Sequence, residues 1–94
     1  MRTIDRSNVF KRDYKRVRAT PRHGKEFETL LSKIVAVLAA DQALPENNRD
    51  HALSGRWAGY RECHIKPDLL LIYQKPDAET LRLARLGSHS ELFG

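Results

Sequence analysis

Tyr60-Arg61-Glu62-Cys63-His64-Ile65-Lys66-Pro67-Asp68-Leu69-Leu70-Leu71-Ile72-Tyr73-Gln74 decides the fold. Two runs of strand-forming length, Tyr60–Ile65 and Leu69–Gln74, flank Lys66-Pro67-Asp68, a tripeptide suited to a turn because proline presets φ and aspartate bonds back to its own backbone. The same tripeptide recurs at Lys75-Pro76-Asp77, followed by Ala78 and a third run, Leu81–Leu86. Strands of this length joined by short Pro/Asp turns predict an antiparallel meander. Leu69–Tyr73 is apolar without interruption, which predicts the central strand, covered on at least one face by helices. Alternation points Cys63 to the face opposite His64, toward core packing.

Upstream of this block the periodicity changes. Met1–Ile4 reads as a short edge strand, and Ser7 as the N-cap of a helix running to about Arg18. Phe10, Tyr14 and Val17 form a narrow apolar seam, while Lys11, Arg12, Lys15, Arg16 and Arg18 lie on the other side. Thr20-Pro21 breaks that helix or caps a new one. From about Lys25 to Ala40, Phe27, Leu30, Leu31, Ile34, Val37 and Leu38 make the wide apolar face of a second helix. Asp41–Asp50 is a polar loop that leads to His51 and a short strand around Ala52–Ser54. The last residues, Gly87–Gly94, have room for one helical turn. Helices first and strands after mean α+β: an N-terminal helical hairpin on one face of a small antiparallel sheet, one domain over residues 1–94.

The 94 residues are 40% hydrophobic and 31% charged, as in ordinary globular domains and unlike disordered chains. No apolar run approaches the roughly 20 residues that span a bilayer, and Met1–Asp5 lacks the apolar core of a signal peptide. A cytoplasmic protein with no membrane partner is expected. Cys63 is the only cysteine, which excludes an intrachain disulfide and a cysteine-based zinc site. The net charge of +5 is concentrated in the first 25 residues, where nine Lys/Arg face two Asp. Such a basic stripe suits nucleic-acid phosphates or an acidic protein.

Of the four histidines, His51, His64 and His89 belong to the strand-rich half, where the ends of a meander can bring them into one cleft. If Ile65-Lys66-Pro67 form the loop, Asp68 stands opposite His64 with Cβ atoms about 5 Å apart and orients the imidazole. Asp68 is equally well explained as a turn residue, as its copy Asp77 is. Imidazoles and a carboxylate suit metal-free cleavage of RNA. A base takes the ribose 2′-OH proton, and an acid protonates the leaving 5′ oxygen. A cation, for which Arg85 is the candidate, steadies the phosphorane. Tyr60 and Phe93 offer ring faces to an unstacked base, unless Tyr60 is core and Phe93 only seals the sheet end. Histidines at zinc-motif spacing are absent. No Gly-rich phosphate loop and no Cys–His nucleophile constellation occurs either.

Two further stretches carry a resemblance. Leu53-x-Gly55-x-Trp57-x-Gly59-Tyr60-Arg61-x-x-His64-Ile65-x-Pro67-Asp68-Leu69-Leu70-Leu71-Ile72-Tyr73, followed by Arg85-x-Gly87-x-His89-x-x-Leu92-Phe93-Gly94, resembles the YafQ branch of the RelE/ParE toxin superfamily. That resemblance implies a type II toxin, an mRNA interferase acting in the ribosomal A site without a metal or other cofactor, and held inactive by a cognate antitoxin. It implies a catalytic set of His51, His64, Asp68 and His89, with Phe93 contributing and Arg85 at a phosphate-contacting position. His89 is then the principal proton-transfer residue, most simply the general acid. The basic helix face becomes the ribosomal RNA footprint. The family often carries an aromatic residue directly after the aspartate; Leu69 stands there in this chain. Two other expectations compete: a non-catalytic superfamily toxin of the gyrase-inhibiting kind, and a plain RNA-binding module.

Overall fold

A computed structural model describes all of residues 1–94. Leu69–Tyr73 are buried throughout because both faces of their strand are covered. They open β4 (Leu69–Asp77), the middle strand of a five-stranded sheet ordered β1-β5-β4-β3-β2. The other strands are β1 (Thr3–Arg6), β2 (His51–Ala52), β3 (Arg61–Lys66) and β5 (Thr80–Gly87). On one face, Leu69, Leu71 and Tyr73 join Cys63 and the helices α1 (Asn8–Ala19) and α2 (Phe27–Ala39) in the main core. On the other, Leu70 and Ile72 pack with Ala84, Leu92 and the half-buried Leu53, Trp57 and Tyr60. Leu92 belongs to the short α3 (His89–Phe93). No helix is long and apolar enough to cross a membrane.

The expected α+β architecture is present, with two departures. β1 runs parallel to β5, pairing Thr3 with Thr80 through Arg6 with Leu83, so the sheet is mixed at that edge. The second Lys-Pro-Asp tripeptide is not a turn. β4 continues through Asp77, which pairs with Thr80, and the chain reverses at Ala78-Glu79. β3 pairs with β4 no further than Tyr73, so Pro76 lies where β4 has a free edge and no donor is required of it.

β1 ends at Arg6, which leaves the last part of β5, still paired with β4 on its other side, without a neighbouring strand on the β1 side. Side chains of α1 take over. The Ser7 hydroxyl donates to the Ala84 carbonyl at 2.9 Å while its oxygen caps the helix by accepting from the Phe10 N–H. The Leu86 N–H donates to Asp13 at 3.0 Å, and Arg16 donates to the Leu86 carbonyl at 3.0 Å. A strand edge is thereby satisfied by a helix, which closes it to further pairing. The apolar seam of α1 is as expected at Phe10 and Val17, but Asp13 is buried between them. α2 buries Phe27, Leu31, Ile34, Val35, Leu38 and Ala39, its face turned slightly from the one the spacing predicts.

Candidate active site

The sheet face turned away from the helical hairpin carries the titratable side chains. His51 pairs directly with Glu62 across β2 and β3, and His64 follows two residues later on the same face of β3. Glu62 is only 3% exposed. Its Oε1 lies 3.6 Å from His51 Nε2 and 3.8 Å from His64 Nε2. A buried carboxylate thus stands between two imidazoles without a closed hydrogen bond to either. His51 Nδ1 is 2.7 Å from the Arg49 carbonyl, which can only accept, so Nδ1 carries the proton. The neutral ring therefore presents the lone pair of Nε2.

Loop residues 41–50 position this pair. Asn48 donates to the His64 carbonyl at 2.8 Å. Asp50 accepts from the Tyr73 hydroxyl at 2.6 Å and from Arg61 at 3.2 Å. Burial, followed by the neighbouring Asp50 carboxylate, pushes the Tyr73 phenol well up. Burial likewise pushes the Cys63 thiol up to about 12, so Cys63 is packing and no nucleophile.

Asp68 is not opposite His64. Lys66 pairs with Leu69 and His64 with Leu70, a register shift that bulges the strand at Ile65 and leaves Pro67-Asp68 as the turn. From that tip, Asp68 accepts from the His89 backbone N–H at 3.1 Å. The carboxylate expected to orient one imidazole instead tethers the segment bearing another. Gly87 pairs with Leu70, which pairs with His64, so the α3 end of β5 lies two strands away, about 10 Å. His89 begins α3 as an exposed residue, its ring centroid 5.3 Å from that of Phe93. Phe93 is 42% exposed, whereas Tyr60 is half-buried edge-on against Trp57.

The start of α3 is held by a capping box. The Ser88 hydroxyl accepts from the Glu91 N–H and the Glu91 carboxylate accepts from the Ser88 N–H. Glu91 also meets Arg16 at 3.0 Å. A Cβ at Gly87 would come within 2.8 Å of Arg16 Nη2 and 3.2 Å of Glu91 Oε1, so a side chain there would push these charged tips aside. The Ser88 N–H holds the Glu91 carboxyl below the usual range against the opposing effect of burial.

The basic residues divide. Arg85 donates to Asp13 through Nε at 2.7 Å and through Nη2 at 3.2 Å, which leaves Nη1 for another acceptor. Arg16 is tied to Asp13 and Glu91 and so leaves the free basic face expected of it. Lys11, Arg12, Lys15 and Arg18 are exposed and form no ion pair. The sequence does not single out Asp13, Glu62 or Glu91 as site residues. Glu62 had a signal there, because the alternation that sends Cys63 to the helices sends Glu62 to the side of His64.

A family model described as the bacterial toxin of type II toxin-antitoxin system, YafQ, matches residues 2–94. The mRNA interferase toxin YafQ of Escherichia coli is 38% identical over 93 residues, covering 99% of this chain and 97% of that one. A metal-bound toxin from Helicobacter pylori superposes with TM-score 0.84 at 48% identity, covering 99% of this chain and 100% of that one. The E. coli DinJ-YafQ complex contains a chain with TM-score 0.84 at 34% identity, covering 100% of both.

Proposed function

The chain belongs to the YafQ family of type II toxins, and from that premise we propose that it cleaves messenger RNA in the ribosomal A site through the groups around Glu62 and His89. It is an mRNA interferase, an endoribonuclease. The reading of its site is carried by one observation: Glu62 is buried between His51 and His64 on the open sheet face, 3.6 and 3.8 Å from their Nε2 atoms.

In this mechanism the lone pair of an imidazole in the His51–His64 pair takes the proton of the ribose 2′-OH. The adjacent Glu62 carboxylate stabilises the imidazolium that results. The 2′ oxygen attacks the neighbouring phosphorus, and the bond to the 5′ oxygen breaks. His89, presented by the Asp68 tether, donates a proton to that leaving oxygen. The products are a 2′,3′-cyclic phosphate and a free 5′-OH. Arg85 meets the phosphate through Nη1, while one N–H each of Nε and Nη2 is held by Asp13. Phe93, beside His89, offers the ring on which a splayed base stacks.

Lys11, Arg12, Lys15 and Arg18 form the ribosomal RNA footprint, so association weakens as salt rises. A groove between α1, α2 and β1 has Phe10, Tyr14, Leu31 and Val35 in its wall and Lys11, Lys15 and Arg18 on its rim. It fits an acidic amphipathic segment of a cognate antitoxin, whose binding would cover part of that footprint.

The test is cleavage of mRNA on programmed ribosomes with the ends mapped. The wild-type protein should cut in the A site and leave a cyclic phosphate, with or without a transition-metal chelator at the Mg²⁺ level that keeps ribosomes intact. His89→Ala should slow cutting by about 10²–10⁴-fold while antitoxin binding persists. Undiminished cutting by His89→Ala would remove the catalytic assignment, and loss of cutting to a transition-metal chelator at constant Mg²⁺ would replace it with a metal-dependent one.

A further inference from the structure

His23 takes no part in the chemistry above. It ends the 3-10 turn Pro21–His23 between the two helices and is 4% exposed. Its Nε2 is the one buried side-chain polar atom without a hydrogen-bond partner. Leaving such an atom unpaired costs about 1–3 kcal/mol, so a turn that needed only packing would be better served by an apolar ring. The nearest carboxylate oxygen is Glu91 Oε1, 3.8 Å away. That is about 0.9 Å longer than a good N–H···O bond.

Glu91 closes the capping box of α3 with Ser88, and α3 begins with His89. His23 reaches the same region by a second route. Its carbonyl accepts from Lys66 Nζ at 2.9 Å, and Lys66 immediately precedes the Pro67-Asp68 turn that tethers the His89 N–H. The contacts close a ring: His23 carbonyl, Lys66, Asp68, His89, Glu91, and back to the His23 imidazole. One residue of the interhelical turn therefore touches both segments that determine where His89 stands. The other charged groups at this junction are Arg16, bonded to Glu91, and Glu26, bonded to Lys66 at 3.2 Å.

We propose that His23 is a positioning residue for His89: in the substrate complex its Nε2–H closes onto Glu91 Oε1 and locks α3 against the Lys66–Asp68 turn. Either the Nε2–H tautomer or the imidazolium supplies that proton. A shift of α3 by less than the length of a bond is enough. RNA pressing on the exposed His89–Phe93 ring pair provides the contacts that drive it. Displacement on that scale matters, since a reacting group about 1 Å out of place loses on the order of 10²-fold in rate. The inference rests on the ribonuclease reading above.

Cleavage on programmed ribosomes separates this role from packing. His23→Phe keeps ring volume and removes the donor. It should lower kcat about tenfold, with KM for the ribosome nearly unchanged and no loss of thermal stability. His23→Gln, which restores a donor, should recover part of the rate. Glu91→Gln keeps the cap but drops the charge, and should slow kcat similarly. The double variant His23→Phe/Glu91→Gln should be no slower than the slower single variant. An unchanged kcat in His23→Phe, a loss confined to KM, or additive losses would each overturn the proposal. Should His23→Phe fail to fold, His23→Leu, which also lacks a donor, and Glu91→Gln carry the same cycle. A wild-type protein that leaves mRNA whole overturns the cleavage reading itself, and this inference with it.

Discussion

Asp13 and Glu62 are almost equally buried, at 2% and 3% exposed, and their surroundings are opposite. Asp13 accepts from Arg85 at 2.7 and 3.2 Å, from Arg16 at 2.7 Å and from the Leu86 N–H at 3.0 Å. Burial pushes its carboxyl up, but the Arg85 guanidinium, the Leu86 N–H and Arg16 together outweigh that and hold it below the usual range. Glu62 has no hydrogen-bond partner within the protein, only imidazole nitrogens at 3.6 and 3.8 Å, and its oxygens still reach solvent at the open sheet face. A saturated carboxylate fastens α1 to the sheet edge and has no capacity left for a reaction. An undersaturated one beside proton carriers is where a charge can still be stabilised as a proton moves. Burial alone does not tell structure from chemistry here; the count of satisfied lone pairs does.

The contrast breaks first at Asp13. Asp13→Ala leaves Arg85, Arg16 and the Leu86 N–H without their acceptor, and should cost about 3–5 kcal/mol in urea unfolding. Cleavage per folded molecule should fall only as far as release from Asp13 loosens the hold of Arg85 on the phosphate. A loss under about 1 kcal/mol would show that the helix-to-edge contact is incidental. Glu62→Gln is the mirror test, since it keeps the volume and removes the charge. Cleavage should fall on the order of 10–100-fold and stability should hardly move. Full activity with reduced stability would make Glu62 the fastening group and would overturn the comparison.

Why one of these residues is readable in the sequence and the other is not comes down to range. Strand alternation is local, so the placing of Glu62 beside His64 follows from the same reasoning that sends Cys63 inward. Asp13 looks like a lone acid on a basic helix; its burial depends on Leu86, 73 residues away. Local pattern also carries the central strand, the Ser7 cap and the α2 core face. It does not carry the parallel pairing of β1 with β5, which needs two chain ends to meet. Nor does it reveal the bulge at Ile65, which moves Asp68 away from His64 and toward the His89 backbone. The two Lys-Pro-Asp tripeptides make the point directly. They are identical in sequence, yet the first turns the chain and the second continues β4, which the local pattern alone does not distinguish.

Acid should break the same contrast more gently and with a definite sign. Asp13 titrates lower in the folded protein than an ordinary carboxyl. As pH falls below about 4, the unfolded chain takes up that proton first, and the equilibrium is drawn toward unfolding. The stability that Asp13 contributes is therefore whole above the unfolded value and lost as pH drops through the folded one. Asp41, lowered by Lys75 and then Arg2, follows the same course, but it is present in wild type and variant alike and cancels between them. Asp13→Asn removes the titrating group while keeping its shape. Melting temperatures measured from pH 7 to pH 2 should fall more steeply for wild type than for Asp13→Asn, and the two curves should approach each other in acid. Parallel curves would mean that Arg85 and Arg16 do not depend on the charge of Asp13, and the distinction between a saturated and an open buried carboxylate would lose its electrostatic basis.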